Sequence, residues 1–264
     1  MTGFALPQFP RVRWANEFER QAVFTRVAPR VPWDLFVRDY FRPLPGEHLT
    51  VVGSTGKGKT TLLNNVYKLY PYVAVFGTKK ADDSMDPLIA EGYKVYRRWP
   101  KLLPANEFPK RIIWPNTGKL SQMVAQQHDV FEDAIEHIYA EGGRPKGNPI
   151  GWAIGIDELW WFTNVLKLGT LLRLILQHAR SAGITLIGAT QRAAFVPTEF
   201  FSQPTHLFFF MTKDDNNLEK IGDINAGNKR LIRDLVSNLE QFQVLYINNI
   251  TGQMARTRTP VPPM

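Results

Sequence analysis

Between residues 53 and 61 the chain reads Gly53-Ser54-Thr55-Gly56-Lys57-Gly58-Lys59-Thr60-Thr61, and this stretch constrains the fold more than any other. It fits the phosphate-binding pattern G-x-x-x-x-G-K-[ST] without a mismatch. The preceding run His48-Leu49-Thr50-Val51-Val52 reads as a buried strand, and residues 62–67 read as helix. A glycine-rich turn in that position aims successive backbone N–H groups at one point. It also adds the positive end of the helix dipole, so it holds a polyphosphate. Gly53 to Thr61 then cradle the phosphates, Lys59 reaches the β- and γ-phosphates, and the Thr60 hydroxyl goes to Mg²⁺.

From residue 48 onward short apolar runs alternate with helical patterns, which predicts an α/β fold with a mainly parallel sheet covered on both faces. Strands are expected at residues 72–77, 94–97, 111–114, 152–156, 184–189, 206–211 and 243–248, with 254–259 as a hairpin partner. Helices are expected at 121–141, stopped by Gly142-Gly143, and at 164–181, stopped by Gly183. Shorter helices are expected at 218–221 and 229–239, and a polar loop at 144–149. Residues 1–45 interleave prolines with Trp14, Phe18, Phe24, Trp33, Phe36, Tyr40 and Phe41. That is too aromatic for a disordered tail. It reads as an irregular arm packed on the main domain, 46–252, or on a neighbouring subunit, and 253–264 reads as a proline-rich tail.

A phosphate loop needs a carboxylate for its metal and a group that activates water. The run Trp152-Ala153-Ile154-Gly155-Ile156-Asp157-Glu158 carries an apolar strand to two acids at its C-terminal end, where open parallel sheets place their ligands. Asp157 is expected to hold Mg²⁺ through water and Glu158 to orient and deprotonate the attacking water. An Asp-Glu pair can also simply end a strand in solvent. The next strand ends Ala189-Thr190-Gln191-Arg192, so Gln191 is expected to contact both the γ-phosphate and the water. Arg180, ending the helix before that strand, has two readings. It can be a cation stabilising a helix C-terminus, or an arginine finger offered to the γ-phosphate of an adjacent subunit. The run Trp160-Trp161-Phe162 after the acids suits either base stacking or packing under the sheet, and packing is favoured.

The series GSTGKGKTT, AIGIDELWWF and LQHARSAGITLIGATQRA resembles the FtsK/HerA superfamily of hexameric DNA-pumping ATPases. The last segment discriminates it from other NTPases. The resemblance spans roughly residues 48–250. It implies a RecA-like P-loop core that binds ATP and Mg²⁺, with Lys59 and Thr60 on nucleotide and metal, Asp157 and Glu158 on metal and base, Gln191 as sensor and Arg180 as the finger in trans. Two departures stand out. The Asp-Pro-Lys-like turn after the second strand is replaced by Gly77-Thr78-Lys79-Lys80, and the sequence shows no membrane span or DNA-reading domain. The chain thus looks like a motor core, as in viral genome-packaging ATPases.

The net charge of +8 and pI near 9.7 suit a polyanionic partner, although many soluble proteins carry such a charge without one. With no cysteine in the chain, disulfides and thiolate metal sites are excluded. The resulting expectation is a ring motor, hexameric by resemblance, that moves double-stranded DNA without reading its sequence. It would sit in the cytoplasm or with a virion or procapsid, and a portal or capsid protein is an expected docking partner. Lys79, Lys80, Arg97, Arg98 and Lys167 are candidate phosphate contacts. The alternative is an ATP-dependent phage or secretion assembly factor acting on protein. A recombination or RNA motor fits the sheet but not the HARSAGI–ATQR segment.

Overall fold

The computed structural model describes residues 17–115, 118–142, 151–224 and 228–260. The expected loop at 144–149, Gly143, Trp14 and the last four residues lie outside them. In chain order the elements are α1 (Glu17–Val27), α2 (Trp33–Asp39), β1 (Leu49–Val52), α3 (Lys59–Tyr67) and β2 (Tyr72–Phe76). They continue with α4 (Asp86–Ala90), β3 (Lys94–Tyr96), β4 (Lys110–Ile113), α5 (Leu120–Gly142) and β5 (Trp152–Ile156). After these come α6 (Gly169–His178), β6 (Thr185–Thr190), α7 (Glu199–Ser202), β7 (His206–Phe210), α8 (Asp215–Ile224), α9 (Lys229–Ser237), β8 (Gln243–Asn248) and β9 (Met254–Arg258).

The strands form one sheet in the order β3-β4-β2-β5-β6-β1-β7-β8-β9. All neighbours pair in parallel except β7–β8 and β8–β9, which are antiparallel. The central strands are buried on both faces; β1, β5, β6 and β7 have no exposed residue. This explains their continuous apolar runs, since strands covered on both faces cannot alternate with polar residues. Two clusters of buried side chains, one per face, make the core. The C-terminal ends of β1, β2, β5 and β6 therefore share one edge of the sheet, and every candidate catalytic residue except Arg180 follows one of those ends.

Over residues 17–40 the arm is two helices rather than irregular chain, and its aromatic content has a packing cause. Phe36 meets Phe208 and Tyr246 at 6.0 and 5.1 Å, and Phe41 meets Phe208 at 5.1 Å. Burying each such ring is worth about 1.5–3 kcal/mol, enough to hold helices that Pro29 and Pro32 interrupt. The backbone between the two helices joins the sheet margin: Val31 N–H donates to the Arg256 carbonyl, and Arg256 N–H to that of Pro29, both at 2.8 Å. Within 253–264, Met254–Arg258 is the edge strand paired with β8.

The helix expected over 164–181 is broken. Trp161–Val165 forms a π-helical turn, Lys167 adopts a left-handed conformation with φ 58°, and α6 starts only at Gly169. The cause is aromatic packing. Phe162 stacks on Phe131 at 5.0 Å and on Phe76 at 6.0 Å, and seating that ring takes a wider turn than the α-helix provides. A 3₁₀ turn, Ala179–Ala182, then carries the chain to Gly183, whose φ of 73° ends it. No helix among the described residues is long and apolar enough to cross a membrane.

Candidate nucleotide site

The phosphate loop follows β1 directly, and α3 begins at Lys59. Gly58 has φ 104°, a conformation that only a residue without Cβ adopts cheaply, which is why glycine immediately precedes the lysine. The Lys59 side chain is drawn inward, leaving the residue 8% exposed. Burial pushes its amine below the ordinary value, while the nearby Asp157 and Glu158 carboxylates pull it back up. A cation taken out of water beside two acids is a receptor for phosphate charge.

Asp157 and Glu158 stand at the end of β5. Burial raises both carboxyls above their usual range; Lys59 opposes this at Asp157, and the Thr190 hydroxyl and Lys59 oppose it at Glu158. For an acid with a raised folded-state pKa, stability is full below the unfolded value and falls as pH rises through the folded one. Burial thus disfavours the charged form of both carboxyls, and a cation bound between them would favour it. Asp157 Oδ1 is buried without a hydrogen-bond partner. An orphaned, buried carboxylate oxygen fits Mg²⁺, which takes few protein ligands and completes its shell with phosphate and water. Asp157 and Thr60 would hold the ion, which would supply Lewis-acid neutralisation of phosphate charge.

The other elements of the site are tied to the loop by hydrogen bonds. Thr55 Oγ1 donates to Gln191 Oε1 at 2.8 Å, so the expected sensor touches the loop and keeps its amide N–H groups for a ligand. Thr190 Oγ1 donates to Glu158 Oε1 at 3.2 Å, holding the expected base in place. Gly155 lets the acid strand and the loop helix pack closely, because a Cβ there would lie 2.5 Å from the Tyr67 hydroxyl of α3. Asp157, Glu158, Gln191, Lys59 and Thr60 thus share one edge of the sheet.

Arg180 does not join them. It lies beyond the C-terminus of α6, which returns from that edge to the start of β6, and its carbonyl abuts Gly46 before β1. The six residues of β6, at about 3.3 Å each, put roughly 20 Å between it and its own phosphate loop.

Several contacts escaped the sequence. The Thr78 carbonyl accepts from Gln127 Nε2 at 2.6 Å, and the Lys79 carbonyl from Trp114 Nε1 at 2.6 Å. Trp161 Nε1 donates to Gln127 Oε1 at 2.9 Å, so the aromatics after the acids support the turn after β2. That turn brings Lys79 within electrostatic reach of Lys59 and Asp157. Trp160, 39% exposed, and Trp161 line a cleft of about 490 Å³ with Glu158, Gln191, Arg192 and Phe195. On the other flank, Gln241 Nε2 donates to the Gly56 carbonyl at 2.9 Å and Lys57 Nζ donates to Gln241 Oε1 at 3.2 Å.

The same fold recurs in solved structures. The genome-packaging NTPase B204 of Sulfolobus turreted icosahedral virus 2, in complex with ATP-gammaS, superposes with a TM-score of 0.56 at 14% identity, over 82% of this chain and 99% of that one. The fold is that of a RecA-like P-loop ATPase. VirB4 of Thermoanaerobacter pseudethanolicus gives a TM-score of 0.58 at 10% identity, over 82% of this chain and 90% of that one. The cytoplasmic domain of the Thermomonospora curvata type VII secretion ATPase EccC gives 0.55 at 16% identity, over 84% of this chain and 26% of that one. Neither a protein-family model nor a curated protein sequence matches the chain.

Proposed function

We propose that this protein hydrolyses ATP with Mg²⁺ and uses the energy to move double-stranded DNA, working as a homo-oligomeric ring, hexameric by resemblance, in viral genome packaging or a similar transfer. The observation that carries the reading is the split of the site. Lys59, Thr60, Asp157, Glu158 and Gln191 occupy one edge of the sheet, and Arg180 lies at the other, far from its own loop and exposed to a neighbouring copy. In the proposed cycle Lys59 and the loop amides bind the phosphates, and Glu158 takes the proton of the attacking water. Gln191 orients that water, and Arg180 of the adjacent copy stabilises charge spreading over the transferred phosphoryl group.

DNA as the cargo is supported by the likeness to a packaging NTPase over nearly its full length and by the charge of +8. Placement of the cations adds to this. Lys80, Arg98 and Lys167 are exposed and follow β2, β3 and β5 at the nucleotide edge, where ATP-driven loop shifts are felt. Lys79 and Arg97 are more committed, to Asp82 at 3.2 Å and to the Trp114 carbonyl at 3.1 Å. Contacts made by such cations are to phosphates rather than to base edges. A protein-assembly ATPase is the second reading, and the likeness to VirB4 and EccC favours it. The two readings separate on duplex DNA. Duplexes of unrelated sequence should stimulate ATP turnover to a similar extent, with affinity falling steeply as salt rises, because each neutralised phosphate releases a counterion. Turnover indifferent to duplex at low salt would move the assembly reading ahead. The site of action, in cytoplasm or at a procapsid, and a portal or capsid docking partner remain part of the proposal.

A further inference from the structure

Phe242 is a bulky residue in a backbone conformation made for glycine. Its φ is 61°, in the left-handed region where a side chain meets the backbone and which aromatic residues rarely enter. Such conformations persist where the surroundings impose them, and they concentrate at ligand sites. The surroundings here are explicit. Glu240 and Gln243 close a turn, with Gln243 N–H donating to the Glu240 carbonyl at 3.1 Å and Glu240 N–H to Gln243 Oε1 at 3.2 Å. The Glu240 carboxylate is held by Arg30 and Arg258, and Gln241 is bound to Gly56 and Lys57 of the phosphate loop. Anchored on both sides, the turn has no freedom to relax Phe242.

The result is an aromatic ring offered to solvent beside the phosphate loop. Phe242 is 44% exposed, whereas Phe210 beneath it is fully buried. Its Cδ1 stands 3.4 Å from where a Cβ on Gly58 would be, and Phe210 Cε1 is at the same distance. The ring is on the β7–β8 flank of the loop, away from Asp157, Glu158 and Gln191, which occupy the β5–β6 flank. A nucleotide whose terminal phosphate faces those acids has its sugar and base trailing to the other side. Packing alone does not require the ring there, because an exposed aromatic in a strained backbone gives up burial energy that a small polar residue would not forgo.

We propose that Phe242 is the platform on which the nucleobase of the bound triphosphate stacks, which makes it the residue that distinguishes a nucleotide from a bare polyphosphate. The proposal rests on the phosphate-loop reading above and deepens it. Both ends of the Gln241 amide are spent on the loop, so this turn recognises the base by its π-face rather than by its hydrogen-bonding edge.

Phe242→Gly isolates the ring, since glycine accepts the same φ without strain. Calorimetry on the full chain with Mg²⁺ would compare ATP with inorganic tripolyphosphate. The expected result is a loss of about 10- to 100-fold in ATP affinity, the range for one stacked base, with tripolyphosphate affinity unchanged and reporting an intact loop. Phe242→Tyr should bind ATP as the parent does. ATP affinity unchanged in Phe242→Gly overturns the proposal. So does an equal loss for both ligands, which makes Phe242 a support for Gly58. A parent protein that binds neither ligand sinks the phosphate-loop reading itself, a different failure.

Discussion

Lys59→Ala abolishes ATP binding, whereas Glu158→Gln keeps binding and lowers turnover by about 10²- to 10⁴-fold, the range for one general base. The contrast follows from where each group acts. Lys59, 8% exposed as a residue, sits near two acids, and its ammonium meets phosphate charge in the ground state, so its removal is felt before any chemistry. Glu158 is needed only when water attacks, and glutamine keeps the shape and the Thr190 contact while losing the basic oxygen. An interaction made only in the transition state changes turnover without changing affinity. Calorimetry with ATP and a phosphate-release assay separate the two. Equal loss of binding in both variants removes Glu158 from the role of base.

Arg180→Ala should leave ATP affinity within a few-fold and suppress hydrolysis by about 10³- to 10⁵-fold, the worth of a finger in phosphoryl transfer. Its position makes the prediction sharper than the motif does. The residue is exposed, at the end of the sheet opposite its own loop, so a role in cis is excluded by distance. Mixing Arg180→Ala with Lys59→Ala protein should therefore restore part of the activity, because some contacts in a mixed ring join one intact loop to one intact finger. No recovery at any ratio, with mixed rings shown to form by native mass spectrometry, counts against a finger in trans. Arg180 then keeps only its other role, a cation at the end of α6.

The parts of this molecule legible in the sequence are those where chemistry fixes spacing along the chain. Phosphate binding needs its glycines and Lys59 within one turn, and the acids of β5 must follow an apolar strand, so both appear as short contiguous patterns. The strand 152–156 coincides with β5 for the same reason. What stayed hidden depends on contacts across long separations. Gln241 and Phe242 reach the loop only because β7 and β8 form an antiparallel pair, and nothing in Glu240-Gln241-Phe242-Gln243 marks a left-handed residue. The break before α6 arises from Phe162 meeting Phe76 and Phe131, rings that helical periodicity in 164–181 cannot reveal. Helices α1 and α2 were masked by the prolines between them, although the aromatics that anchor α2 were visible.

A moving motor strips a bound third strand from duplex DNA, so that displacement reads translocation itself. A fluorescent triplex-forming strand would be placed on linear duplexes of unrelated sequence and presented to assembled rings with ATP and Mg²⁺. Release should require ATP hydrolysis, be lost in Glu158→Gln, be insensitive to duplex sequence and weaken steeply with salt. Rings that hydrolyse ATP at low salt and leave the third strand in place would contradict translocation.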